Sequence, residues 1–146
     1  MLADARAAAQ WLAERTGLAP EQFILMGESL GCSVAVDLAA DHGARALVLE
    51  NAFTSAPDVG AYHYPWLPVR WLMRTQLDAA AKIGRFHGPL LQSHGDADTV
   101  VPHRFGVRLF EAANEPKQFL TLPGLDHNDP RDRAYYEALR EFIESL

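Results

Sequence analysis

Cysteine occurs once, at Cys32, so no disulfide can form within this chain and its stability has to come from packing. Positive charge is in short supply. Lys and Arg total 13 against 19 Asp and Glu, a net charge of -6, and no basic stripe or arginine cluster breaks the pattern. That balance argues against nucleic acid as a partner. Long hydrophobic runs are missing too: every apolar stretch is interrupted well before membrane-spanning length, which predicts no transmembrane segment in this chain. Met1-Leu2-Ala3-Asp4 has neither the basic start nor the apolar stretch of a signal peptide. The six histidines are scattered, with no H-x-x-x-H or His/Cys spacing, so no metal site is expected.

What is present is 146 residues that are 49% hydrophobic, enough for one domain with a core of its own. Residues 3–14 read as an amphipathic helix with Trp11 and Leu12 on one side, ended by Gly17 and Pro20. A strand is expected over 22–26, a helix over 30–40 closed by Gly43, and an unalternating apolar strand over 46–49. The pattern loosens from Ser55 to Gly88, where an aromatic, proline-rich stretch runs through Tyr62-His63-Tyr64-Pro65-Trp66-Leu67-Pro68 and a short helix starts near Val69. Regular structure resumes with a strand at 89–93, a helix from Pro102 to about Asn114, a strand at 117–122, and a terminal helix over 131–146 with Asp129-Pro130 as its cap and first residue. Strands alternating with helices through short loops predict an α/β fold with four mostly parallel strands flanked by helices, in a single domain with a cap-like insertion at 55–88.

Between the first strand and its helix lies Gly27-Glu28-Ser29-Leu30-Gly31. A G-x-S-x-G sequence in that position forms a sharp turn with the serine hydroxyl exposed at its apex, and the glycines are expected to sit where any Cβ would collide. By chance such a pattern arises in about one chain of this length in twenty, so its partners matter. His94-Gly95-Asp96-Ala97-Asp98-Thr99-Val100-Val101-Pro102 follows the third strand, and Leu125-Asp126-His127-Asn128 the fourth. In a parallel sheet these loops gather at one edge, which brings together Ser29, Asp98 and His127 in the chain order of elbow-type hydrolases. A serine hydroxyl needs a base to become a nucleophile, imidazole titrates near neutrality, and a carboxylate on its other nitrogen orients it. The Leu30 N–H, at the start of the helix, is placed to hold an oxyanion.

These residues resemble the C-terminal part of a small α/β-hydrolase-fold serine hydrolase, of the short-capped group that includes depalmitoylase-like α/β-hydrolase-domain proteins. The G-E-S-L-G elbow, the 94–102 loop, the His127-Asn128-Asp129 segment and the stretch at 64–68 carry the resemblance. It implies Ser29 as nucleophile, Asp98 as acid and His127 as base, cleaving carboxylic esters or thioesters of small molecules or acyl-proteins without any cofactor. Asp96 reads as a turn former, His94 as structural, His103 as exposed at a helix start, and Cys32 as a small packing residue. The aromatic residues from Tyr62 to Trp71 fit either the lining of an acyl pocket or the core of a lid. The family has strands ahead of the elbow strand that have no counterpart here. This predicts a truncated fold, a single oxyanion donor in place of two, and an exposed elbow-strand edge open to self-association. Two other readings carry the same motifs: a peptidase of prolyl-oligopeptidase type, and a catalytically weak remnant acting as an interaction module.

Overall fold

The computed structural model describes residues 1–146. Strands β1 (Ile24–Glu28), β2 (Ala46–Glu50), β3 (Leu90–Gly95) and β4 (Lys117–Leu122) form one sheet in the order β1-β2-β3-β4, with every neighbouring pair parallel. Parallel neighbours need crossovers. Helix α2 (Leu30–His42) links β1 to β2; α3 (Ala56–His63), α4 (Val69–Leu72) and α5 (Ala80–Ile83) link β2 to β3; α6 (His103–Glu111) links β3 to β4. Helix α1 (Leu2–Thr16) precedes the sheet and α7 (Arg133–Glu144) follows it. This is a partial α/β-hydrolase fold.

The two faces of β2 and β3 make two cores. Leu47, Leu49 and Leu90 pack with Val36 and Ala39 of α2, Ile83 of α5 and Leu109 of α6. Ala46, Val48 and Leu91 pack on the other side with Phe142 and Leu139 of α7. Covering on both faces is why these strands read as unbroken apolar runs. The last part of the 55–88 segment joins the first core through Ala79, Ile83 and Phe86, while α3 and α4 stand further out.

Several boundaries differ from the sequence reading, each for a local reason. β1 continues through Gly27 and Glu28 because both stay in register with Leu49 and Glu50. The terminal helix starts at Arg133, and its cap is Asp132, whose carboxylate accepts the Tyr135 N–H at 2.9 Å. Asp129 is occupied elsewhere: its Oδ2 accepts the Asp126 N–H at 2.8 Å and closes the turn after His127. Helix α1 forms as expected and ends at Gly17, in the left-handed region, yet none of its residues is buried. Ion pairs from Arg6 to Asp37 and Asp41 tie it to α2, and the Arg15 guanidinium lies over one face of the exposed Trp11 ring at 5.4 Å.

β1 is an edge strand, with Ile24 39% and Met26 57% exposed. An apolar groove of about 550 Å³ runs between it and α1, lined by residues that include Ala5, Ala8, Leu12, Ile24 and Leu38.

Candidate active site

Ser29 stands between β1 and α2 with φ 52° and ψ -118°, a conformation that non-glycine residues rarely adopt. Its N–H donates to the Glu50 carbonyl at the end of β2 at 2.9 Å, which fixes the turn against the neighbouring strand. A Cβ on Gly27 would lie 2.5 Å from the Gly31 carbonyl oxygen and 2.7 Å from the Cys32 nitrogen, so the strand and the first turn of the helix touch backbone to backbone there. At Gly31 the expectation fails: a Cβ at that position would meet nothing within 4 Å. The helix passes close to Gly27, and its own Cβ direction at Gly31 points into open space.

The structure brings Ser29, His127 and Asp98 together. His127 Nε2 lies 3.1 Å from Ser29 Oγ, and His127 Nδ1 lies 2.7 Å from Asp98 Oδ2. A carboxylate only accepts, so Nδ1 carries the hydrogen and the Nε2 lone pair faces the serine hydroxyl. Asp98 Oδ1 accepts two backbone N–H groups, from Val100 at 2.9 Å and Val101 at 2.7 Å. Burial pushes this carboxyl up, but the hydrogen bonds from His94, His127 and the Val101 N–H outweigh it and hold the group at about 2. Asp98 is therefore an ionised acceptor across the neutral range. Leu30 is the first residue of α2, so its N–H has no acceptor within the helix and is free for an anion beside Ser29.

Cys32, one turn further along α2, is buried, and its thiol donates toward the Gly27 and Glu50 carbonyls at 3.1 Å each. Burial pushes the thiol well above its ordinary value, which suits packing and not nucleophilic chemistry.

Other residues hold the three loops together, and most were not singled out by the sequence reading. Asn51 follows β2 directly, is fully buried and has φ 49°. Its Nδ2 donates to the His127 carbonyl at 2.9 Å and its Oδ1 accepts the Gly95 N–H at 3.2 Å, so one amide pins the His127 loop to the end of β3. Asn51→Ala would strand both buried partners and put alanine in the left-handed region. It is expected to cost about 2–4 kcal/mol in urea unfolding, with Asn51→Gly recovering about 1 kcal/mol because glycine accepts the backbone angle. Equal stability of the two variants would remove the backbone part of that account.

Asp126 accepts from the Thr99 N–H and the His127 N–H, both at 2.7 Å, and so joins the Asp98 loop to the His127 loop. Asp96 accepts the Gly124 N–H at 2.6 Å, a turn-forming role that also links β3 to the loop after β4. Buried Glu50 accepts from the Tyr135 hydroxyl and from Arg131 Nε, the latter at 2.8 Å, bracing the segment just after His127.

His94 is fully buried and does more than fill space. Its Nε2–H donates to the Val101 carbonyl at 2.8 Å and lies 3.3 Å from Asp98 Oδ2, so two imidazoles meet the same carboxylate oxygen. Its Nδ1 has no partner and faces Gly106, where a Cβ would come within 2.2 Å of it. His103 is half-buried and not exposed, because its ring stacks edge-on against His94 and Phe119. Burial and the neighbouring His94 pull its pKa down. In the aromatic stretch Tyr62, Tyr64, Trp66 and Trp71 are all exposed, so these rings do not pack into the core of a lid.

No family model matches the chain. It is 42% identical over 146 residues to an uncharacterised protein of Mycobacterium tuberculosis, covering 98% of this chain and 52% of that protein. It is 34% identical over 152 residues to alpha/beta hydrolase domain-containing protein 17B of Homo sapiens, covering 98% of this chain and 49% of the relative. The chain thus spans about half the length of the curated relatives it matches. Among solved structures, acetyl xylan esterase from Paenibacillus sp. R4 superposes with a TM-score of 0.78 at 16% identity, over 98% of this chain and 51% of that one. The esterase domain from a Rhodothermus marinus protein does so with a TM-score of 0.68 at 23% identity, over 87% of this chain and 59% of that one.

Proposed function

From the membership of this chain in the α/β-hydrolase superfamily, we propose that it carries the nucleophile, acid and base of a serine hydrolase of carboxylic esters or thioesters. The observation that supports this most directly is the continuous line of hydrogen bonds from Ser29 Oγ through the His127 ring to Asp98. Ser29 Oγ attacks the acyl carbonyl carbon while His127 Nε2 takes its proton. The positive charge on the imidazolium is stabilised by Asp98, which stays ionised. The carbonyl oxygen, now negative, accepts the Leu30 N–H. As the intermediate collapses, the C–O or C–S bond breaks and the leaving group receives the proton from His127. A water molecule, deprotonated by the same nitrogen, then attacks the acyl-serine and restores the free hydroxyl.

Edge strand β1, with Ile24 and Met26 open to solvent and an apolar groove beside them, supports a second reading in which the chain associates through that edge. A fluorophosphonate probe separates the two. The hydrolase reading expects covalent labelling that disappears in Ser29→Ala. Absence of labelling, together with association that grows with concentration, would replace it with the second.

A further inference from the structure

Six of the large apolar residues exposed in this chain fall between positions 62 and 72: Tyr62, Tyr64, Trp66, Leu67, Trp71 and Leu72. Trp66 is 74% and Trp71 91% exposed, values that leave almost the whole indole in solvent. The cause is the one-turn helix α4. Its buried residue is Val69, seated against Gly60, where a Cβ would lie 2.8 Å from Val69 Cγ1. Trp71 follows two residues later, roughly 200° around the helix, and so points away from the domain. So many exposed apolar side chains within eleven residues mark an interaction site.

The charges around it indicate the partner. No Asp or Glu occurs between residues 59 and 77, in a chain whose net charge is -6. Arg70 and Arg74 lie on or just beyond α4, and Arg104 from α6 stacks over the Tyr62 ring at 4.6 Å. Asp58, just ahead of this stretch, accepts from Thr54 at 2.6 Å and from Arg70 at 2.7 Å, while Arg104 makes no ion pair; Arg74 lines a separate cleft with Asp37 and Asp78. Arg70 beside Trp71 and Arg104 over Tyr62, separated in the sequence, thus stand together at the edge of the aromatic stretch.

We propose that this face docks on an anionic lipid surface. Trp and Tyr rings settle at the boundary between headgroups and acyl chains, where one end of each ring is apolar and the other wet, and the arginines meet the lipid phosphates. The protruding side chains of Trp71 and Leu72 suit insertion into a fluid layer. The face is also fastened to the candidate site: the His63 Nε2–H donates to the Val100 carbonyl at 2.7 Å, in the loop that carries Asp98. If the hydrolase reading holds, docking brings Ser29 to the layer in which acyl chains dissolve; the docking itself does not depend on that reading.

Sedimentation with phosphatidylcholine vesicles, with and without phosphatidylglycerol, tests the proposal without any activity measurement. The chain is expected to co-sediment with the anionic vesicles and its tryptophan emission to move to shorter wavelength. Trp71→Ser should weaken binding about tenfold or more, and Arg104→Gln about fivefold on anionic vesicles only. Both positions are exposed, so circular dichroism should show an unchanged fold. Failure to bind either vesicle, or equal binding by the variants, overturns the proposal. So does self-association abolished by Trp71→Ser in a chain that ignores vesicles, which would assign the face to protein contact.

Discussion

Asp98→Asn is expected to lower kcat on an activated ester about 10⁴-fold while the protein remains folded. The reason lies in how the carboxylate is divided. Oδ1 is committed to two backbone N–H groups, from Val100 and Val101, and Oδ2 accepts from His127 Nδ1. An amide has only one oxygen, and two donors fixed in the backbone hold it at the Oδ1 position more firmly than His127 and the longer contact from His94, whose Nε2–H is shared with the Val101 carbonyl, hold it at the other. The NH₂ group is then left facing His127, whose Nδ1 must become the acceptor. That tautomer places a hydrogen on Nε2, aimed at Ser29, and the base is gone although every side chain stays in place. Protonation of Asp98 would have a similar effect, but its position at about 2 keeps the carboxylate ionised in any ordinary assay. Steady-state hydrolysis of a p-nitrophenyl ester, with unfolding curves for both proteins, checks the claim. A loss smaller than about tenfold would mean that Asp98 does not set the tautomer of His127.

The elbow and the gathering of the three loops were legible because both follow from short-range rules. A glycine-flanked serine between an apolar strand and a helix is a local pattern, and parallel strands carry their following loops to one edge whatever the details. The same edge rule applied to β2 leads directly to Asn51, the first residue after that strand; the signal was present and was passed over because Asn is not a titratable residue. His94 had no such signal. It meets Asp98 across a turn, at a spacing that implies contact in a helix but not at the end of a strand. The cap of α7 was ambiguous for another reason. Asp126, Asp129 and Asp132 stand three residues apart, and which of them caps the helix depends on the link between Asp126 and Thr99, a tertiary contact. The aromatic stretch was the least legible part, since its composition is that of a core. Its helix is only one turn long and buries Val69 alone, so there is no second layer for the other rings to join.

The two glycines of the elbow are expected to behave oppositely, although the motif treats them alike. Gly27→Ala should destabilise the protein by about 2–4 kcal/mol. The atoms its Cβ would strike belong to the backbone of Gly31 and Cys32, which cannot swing aside as a long side chain does. Relief requires β1 and α2 to separate, and the whole elbow is built on their closeness. Ser29 holds φ 52° because its N–H is fixed to Glu50 on one side and its carbonyl accepts the Cys32 N–H at 3.1 Å on the other. Prising the helix from the strand lengthens the second bond and releases the strain that presents Oγ to His127, so the reach of 3.1 Å between them should be lost with the stability. Gly31→Ala meets open space at the second position of a helix, where alanine is favoured over glycine by up to about 1 kcal/mol. It should leave stability unchanged or raise it. Urea unfolding of the two variants side by side is the measurement. Equal and small effects would show that the close approach of strand and helix does not depend on the missing side chain of Gly27, and the account of the strained serine would fall with it.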